Sequence, residues 1–257
     1  MNVRFLGSAS SVPNVGNDCP CFLVNDKYLV DCGYSVLTAL RNGNCDLSRI
    51  EYIIFTHMHH DHYIGVAGLL FFMLQSEQKK ISDLTILGPE NMPEVMERVY
   101  SFLMLDQFFE GAGRPRLVAL KAGETFETED AIFKTGECYH PVPANCYRME
   151  SKLDGKILAF TGDTAFKADM ADLFKNADAV IHDCTLGASV LTDDPKKRAC
   201  GHSSLPEAIK LCEKADIPIL FPMHMNDDDC IYSINKLKAT TKTKLVFPDR
   251  NDEFILY

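Results

Sequence analysis

No apolar run in this 257-residue chain reaches the roughly 18 residues that a membrane-spanning helix needs, and the longest, Tyr63 to Leu74, stops well short. A membrane role is not expected. Met1 leads straight into Val3-Arg4-Phe5-Leu6, without a basic start, an apolar stretch and a small-residue cleavage site, so no export signal is expected either. Low-complexity segments and long linkers are also missing, which points to one domain over residues 1–257. Positive charge is scarce: 26 Lys and Arg stand against 36 Asp and Glu, and the net charge of −10 opposes non-specific binding to polyanions. A nucleic-acid substrate would need a local basic patch, and the candidates are Lys196-Lys197-Arg198, Arg114 with Arg116, and Lys236 to Lys244. Each reads more simply as a solvated face.

What is present is ordinary for a globular protein, with 46% apolar and 24% charged residues. Ten cysteines without an export signal, several inside apolar runs (Cys32, Cys184, Cys212), read as reduced core thiols in a cytoplasmic protein. Cys19-Pro20-Cys21 resembles half a metal site, but no second pair at zinc-finger spacing completes it.

Short β-rich runs at Val3–Leu6, Cys21–Val24 and Tyr28–Asp31, separated by turn-forming residues, open the chain as a meander. Apolar periodicity then predicts a helix over Ser35–Asn42, a strand over Ile50–Thr56, a helix over Gly65–Gln75, a strand over Leu84–Leu87 and an amphipathic helix over Pro93–Phe108. The second half repeats this organisation. Strands are expected at Leu117–Leu120, Ala131–Thr135, Ile157–Thr161, Ala179–Asp183, Ile219–Pro222 and Lys244–Phe247, with helices at Ala168–Phe174, Leu205–Lys214 and near Tyr232–Thr240. Strands first and helices after, twice over, suggest two packed sheets with helices outside.

Thr56-His57-Met58-His59-His60-Asp61-His62 follows the strand predicted at Ile50–Thr56. His57 and His59 are two apart, so in extended backbone they point the same way, and the following turn brings Asp61 and His62 to a neighbouring position. Zinc is bound by neutral imidazole and carboxylate, and a catalytic zinc keeps one position open for water. Four histidines and an aspartate in six positions have no good explanation as a merely solvated loop.

The His-x-His-x-Asp-His core of this segment resembles the signature of the metallo-β-lactamase superfamily. The resemblance implies a four-layer αββα sandwich of the α/β class, two mixed sheets with helices outside, and a metal site at one edge of the sheets. His140 in Cys138-Tyr139-His140-Pro141, Asp163 in Thr161-Gly162-Asp163-Thr164 and His224 in Pro222-Met223-His224 match further positions of that pattern. It thereby implies two divalent ions, zinc first with manganese or iron open: one on His57, His59 and His140, one on Asp61, His62 and His224, with Asp163 between. His60 falls at a variable position. Five of the eight histidines then have ligand roles.

Within the superfamily the chain looks most like ribonuclease Z and its phosphodiesterase relatives. Phe5-Leu6-Gly7-Ser8-Ala9-Ser10-Ser11-Val12-Pro13, Val30-Asp31-Cys32-Gly33, Ile181-His182-Asp183-Cys184-Thr185 and Gly201-His202-Ser203-Ser204 carry that likeness. The last element makes His202 a candidate proton donor to the leaving oxygen, oriented by Asp183, while Ser204 and Glu207 also form a capping box. Asp61 would help orient the attacking water. The loop Asn14 to Asp18 lacks the Arg-Asn of tRNA-processing members, and the segment between His140 and Asp163 is too short for their tRNA-binding arm. The expected activity is therefore hydrolysis of a small phosphodiester or nucleotide-like substrate; RNA is the less favoured substrate, and homodimers are common among the resembling proteins. A hydrolase of lactones, thioesters or cyclic phosphates, and a non-catalytic metal-binding protein, stay open as alternatives.

Overall fold

The computed structural model describes residues 1–76, 80–108, 110–188, 200–225, 237 and 240–257. Two seven-stranded sheets face each other. The first contains β1 (Asn2–Gly7), β2 (Cys21–Val24), β3 (Tyr28–Val30), β4 (Tyr52–Ile54), β5 (Thr85–Gly88) and β6 (Arg116–Ala119), with the C-terminal strand β14 (Glu253–Ile255) against β1. The second runs in order through β7 (Thr125–Glu127), β8 (Ala131–Glu137), β9 (Asn145–Ser151), β10 (Ile157–Phe160), β11 (Ala179–Asp183), β12 (Ile219–Met223) and β13 (Lys244–Leu245). Each sheet is antiparallel at its first strands and parallel from the third repeat strand onward, β3 to β6 and β10 to β13.

Strand alternation explains the layering. In β2, Phe22 and Val24 enter the core between the sheets, while Cys21 and Leu23 enter the core under the helices of the first sheet. In β12, Phe221 and Met223 point between the sheets and Leu220 toward the helices on the other side. Strands buried on both faces are therefore apolar at nearly every position rather than at every second one. Five aromatic pairs bridge the sheets, Phe5 with Phe221, Phe22 with Phe160, Tyr28 with Phe133, Tyr52 with Phe126 and Phe221 with Phe254, at ring separations of 5.1, 5.5, 5.2, 6.2 and 5.0 Å. Such a pair contributes about 0.5–1.5 kcal/mol beyond its buried area.

Helices cover both outer faces. Helices α1 (Val36–Asn42), α3 (Val66–Ser76) and α4 (Met92–Phe102) pack on the first sheet through residues such as Leu40, Leu70 and Met96; the single-turn helix α2 (His60–Tyr63) lies in the loop after β4. Two more, α6 (Met170–Leu173) and α7 (Leu205–Ala215), cover the second sheet. The result is the expected αββα order.

Several boundaries differ from the sequence reading. The helix expected over Pro93–Phe108 is broken, because Met104 adopts a left-handed φ of 50°, and α5 (Leu105–Phe108) restarts after it. The strand expected over Ile50–Thr56 is limited to Tyr52–Ile54, since Ile50 closes a 3-10 turn. Strands β7, β9 and β14 were not anticipated: β9 carries polar residues among its apolar ones, and β7 and β14 are three-residue edge strands. The patch Lys196-Lys197-Arg198, and all of the helix expected near Tyr232–Thr240 except Leu237 and Thr240, lie outside the described residues. Among the described residues no helix is long and apolar enough to cross a membrane.

Candidate metal centre

The loops that matter leave the same edge of the two sheets. Strands β10, β11 and β12 are parallel neighbours, so their C-terminal ends release Asp163, Asp183 and His224 side by side. Strand β4 delivers Thr56 to His62, and an isolated bridge between His57 and Ala144 ties that loop to the turn between β8 and β9 that carries His140. The Asn145 backbone N–H donates to the Thr56 carbonyl at 2.9 Å and fixes the junction.

The structure brings seven donor side chains into two adjoining groups. His57, His59, His140 and Asp163 form one, and Asp61, His62, Asp163 and His224 form the other; within each, the donor atoms all lie within 4.8 Å of one another. Ligands held at 2.0–2.2 Å around one tetrahedral ion sit about 3.4 Å apart. The observed separations match: His57 Nε2 to His59 Nδ1 is 3.2 Å, His140 Nε2 to His59 Nδ1 is 2.9 Å, and His57 Nε2 to Asp163 Oδ2 is 3.6 Å. In the second group His62 Nε2 stands 3.4 Å from both Asp61 Oδ2 and Asp163 Oδ1, and His224 Nε2 stands 3.2 and 3.4 Å from Asp61 Oδ2 and Asp163 Oδ2.

The other ring nitrogens have partners that fix the tautomers, assigned here from those partners. His62 Nδ1–H donates to Asp31 Oδ2 at 2.8 Å, and His140 Nδ1–H to the Gly201 carbonyl at 2.9 Å. The Thr56 hydroxyl donates to Asp31 Oδ2 at 2.8 Å and accepts from His57 Nδ1–H at 3.2 Å. His224 Nδ1–H donates to the Thr185 hydroxyl at 2.7 Å, which itself donates to Asp183 Oδ1 at 2.6 Å. Four imidazoles thus turn lone pairs inward, as a cation site requires. Among the described residues His62 Nε2 is buried without a hydrogen-bond partner, although carboxylates flank it on two sides. The donor set therefore fits a pair of divalent ions sharing Asp163.

Electrostatics agree. Burial pushes Asp163 upward, but the neighbouring His224, His62 and His57 hold it well below the usual carboxylate range. For Asp61, burial is again outweighed, by the adjacent His224 and His62 rings. Burial, joined by the neighbouring His62, pulls His57 well below the ordinary imidazole value, so it is held neutral. His62 goes the other way: burial lowers it, and Asp163 and Asp31 raise it well above. Concentrated buried carboxylate is what a cation offsets.

Backbone geometry is committed to this arrangement. Gly162 has a φ of +57°, and an added Cβ would lie 2.4 Å from the Thr56 side chain. Gly201, at +72°, lets its carbonyl reach His140; a Cβ there would come within 2.6 Å of Pro141 and 2.7 Å of His140 Nδ1. His224 itself is left-handed at φ 61°, held by its N–H to the Ser8 carbonyl at 2.9 Å.

His202 and Asp183 stand beside the second group. His202 Nδ1–H donates to Asp183 Oδ2 at 2.9 Å, and its ring is 5.2 Å from that of His224. Asp183 is buried, and the Thr164 and Ser203 N–H groups donate to the same oxygen at 3.1 and 3.3 Å. Burial lowers His202, yet the hydrogen bond and charge of Asp183 raise it above the ordinary imidazole value. Ser204 and Glu207 form the expected capping box at the start of α7. His60 is exposed and outside both groups.

Sequence reasoning gave no role to Asp31, Thr56 or Thr185, whose hydrogen bonds orient the donors. The signal for Asp31 was a lone acid closing an apolar strand. Cys19 and Cys21 are buried thiols donating to the Ser10 and Asp31 carbonyls at 3.2 and 3.1 Å. Burial pushes Cys19 up to about 12, so it stays a neutral thiol. Arg114 is occupied by Glu97 and Asp106.

Two mixed sheets with a shared-aspartate donor cluster at one edge define a class of fold and site. A model of the beta-lactamase superfamily domain matches residues 26–225, and the chain belongs to the metallo-β-lactamase superfamily. It is 25% identical over 272 residues to a ribonuclease Z of Thermoplasma volcanium, covering 87% of this chain and 86% of that protein. A metallo-β-lactamase fold protein from Bacillus subtilis superposes with a TM-score of 0.79 at 18% identity over 98% of both chains. The short form of human tRNase Z superposes with a TM-score of 0.75 at 20% identity over the full length of both.

Proposed function

We propose that the protein is a binuclear zinc phosphodiesterase acting in the cytoplasm on a small phosphodiester, with His57, His59 and His140 on one ion, Asp61, His62 and His224 on the other, and Asp163 shared. The observation that carries the reading is the His202–Asp183 pair set against the donor cluster. A lone metal site needs no such pair, whereas hydrolysis of an alkyl phosphodiester needs a proton for the departing alkoxide. Two bound ions would polarise the phosphate and lower the pKa of the attacking water. The chain does the rest. Asp183 fixes the Nδ1–H tautomer of His202, leaving Nε2 free to carry a proton to the leaving oxygen. Asp61, held ionised, accepts a hydrogen bond from the water and aims it. His57, His62 and Asp163 are buried, and His59, His140 and His202 are half-buried, so the phosphate approaches on the side of the latter three.

A small substrate is favoured by the segment from His140 to Asp163, which is used up by β9, its turn and β10, without an inserted arm. The ribonuclease Z relatives support phosphodiester chemistry in general. The test is hydrolysis of bis(p-nitrophenyl) phosphate by zinc- and manganese-loaded protein beside a lactone and thioester panel. Turnover confined to the diester supports the reading. Turnover of lactones or thioesters instead, or of nothing while metal is bound, would replace it.

A further inference from the structure

The turn between β3 and α1 is held from three sides. Cys32 N–H donates to the His62 carbonyl at 2.6 Å and Gly65 N–H to the Cys32 carbonyl at 3.1 Å, so the turn is fastened to α2, which carries Asp61 and His62. The approach is close: a Cβ added at Gly65 would lie 2.0 Å from the Gly33 carbonyl oxygen, and one added at Gly33 would lie 2.9 Å from that of Cys19. Past Gly33, the Ser35 N–H and hydroxyl both donate to Asp18 Oδ2, at 2.5 and 2.6 Å. Asp18 is itself buried, and its Oδ1 accepts from the Cys19 N–H at 2.8 Å.

Tyr34 stands in the middle of this turn and is 51% exposed. A side chain on so rigid a mount has less freedom to lose on binding a ligand. Partial burial raises its hydroxyl above the ordinary phenol value, and Cys19, Asp61 and Asp18 push the same way, so Asp61 lies within electrostatic reach and the phenol keeps its proton at neutral pH. The Tyr28 hydroxyl is committed to Thr128 at 2.7 Å and that of Tyr147 to the Phe55 carbonyl at 3.0 Å. The Tyr34 hydroxyl has no hydrogen-bond partner among the described residues. Its neighbours do not compete as donors: Asp61 and Asp18 are carboxylates, and the Ser35 hydroxyl is given to Asp18. A phosphate that spans both donor groups has oxygens on more than one side, and an oxygen on the Asp61 side needs a donor.

We propose that Tyr34 is a substrate-binding residue whose hydroxyl donates a hydrogen bond to a non-bridging phosphate oxygen on the Asp61 side of the donor cluster. The share of this contact in turnover rests on the phosphodiesterase reading; the binding of phosphate through it does not.

The experiment is titration calorimetry of the zinc-loaded protein with inorganic phosphate, wild type beside Tyr34→Phe, followed by kcat/KM of both for bis(p-nitrophenyl) phosphate. The substitution keeps the ring and removes only the hydroxyl, so a ring that merely packs would leave both readouts unmoved. Phosphate affinity is expected to fall about tenfold or more, the usual effect of losing a hydrogen bond to a charged group. Metal content and thermal midpoint should stay unchanged, and kcat/KM should fall by a similar factor. Unchanged phosphate affinity overturns the inference whatever the turnover, and a weaker affinity accompanied by loss of metal or of thermal stability returns Tyr34 to a structural role. If phosphate affinity falls while neither protein hydrolyses the diester, the phosphodiesterase reading fails and the Tyr34 contact stands. Diester hydrolysis with phosphate affinity unaltered by the substitution does the reverse.

Discussion

Strands β1 to β6 and strands β8 to β13 follow one plan, two antiparallel pairings and then three parallel ones, yet the two halves furnish the metal cluster differently. The first half places His57, His59, Asp61 and His62 within one loop after β4. The second half places His140, Asp163 and His224 in three separate loops. Corresponding strands even end in corresponding acids: Asp31 just after β3 and Asp163 beyond β10 stand on either side of the His62 ring, one at Nδ1 and the other at Nε2. The first half thus offers a compact local set of donors. The second completes it only if three strand ends are in register, and it alone supplies the His202–Asp183 pair.

Variants can break that division of labour. The largest loss is expected at the shared residue: Asp163→Ala should abolish turnover and release metal from both groups, because each contains it. Loss of one ion with the other retained at full occupancy would contradict the sharing. Next comes His202→Ala, expected to keep metal and fold but lose on the order of 10²–10⁴ in turnover for a diester with a poor alkoxide leaving group. The loss should shrink for p-nitrophenolate, which departs without protonation. Asp183→Asn should show a milder form of the same leaving-group dependence, and equal losses on both substrates would return His202 to a structural role. Thr185→Val is expected to cost roughly 10–100-fold in metal affinity or activity, the usual range for groups that orient a ligand; a chelator titration that leaves the affinity unaltered, with unchanged turnover, would show that the His224 hydrogen bond is dispensable.

The smallest effect concerns the far edge, where the halves also meet. Tyr28 and Lys27 of the first sheet reach Asp130 of the second, with Lys27 Nζ 3.2 Å from the carboxylate. Burial raises Asp130, and hydrogen bonds from Tyr28, Thr128 and Lys27 bring it below its ordinary 3.8. A folded value below the unfolded one gives stability that is present above pH 3.8 and lost as pH falls toward the folded value. Asp130→Asn should therefore flatten the acid limb of the unfolding curve in that window by about 1 kcal/mol or less. An unchanged acid limb would remove this contact from the account.

What could be read from the sequence follows the same division. His57 to His62 is legible because its geometry is local, two residues of extended chain and one turn. His140, Asp163 and His224 carry no local pattern of their own, and only their likeness to a known family linked them to the cluster. Strand β9 was missed because Arg148 and Glu150 interrupt its apolar residues, and the break at Met104 was hidden by an apolar pattern that continues across it. Asp31 and Thr185 act through hydrogen bonds to residues 31 and 39 positions away, which no periodicity records.

Elemental analysis of purified, metal-loaded protein, wild type beside His59→Ala, tests the composite site most directly. Close to two divalent ions per chain are expected, falling sharply when His59 is lost. Stoichiometric loading that survives the loss of His59 would contradict it.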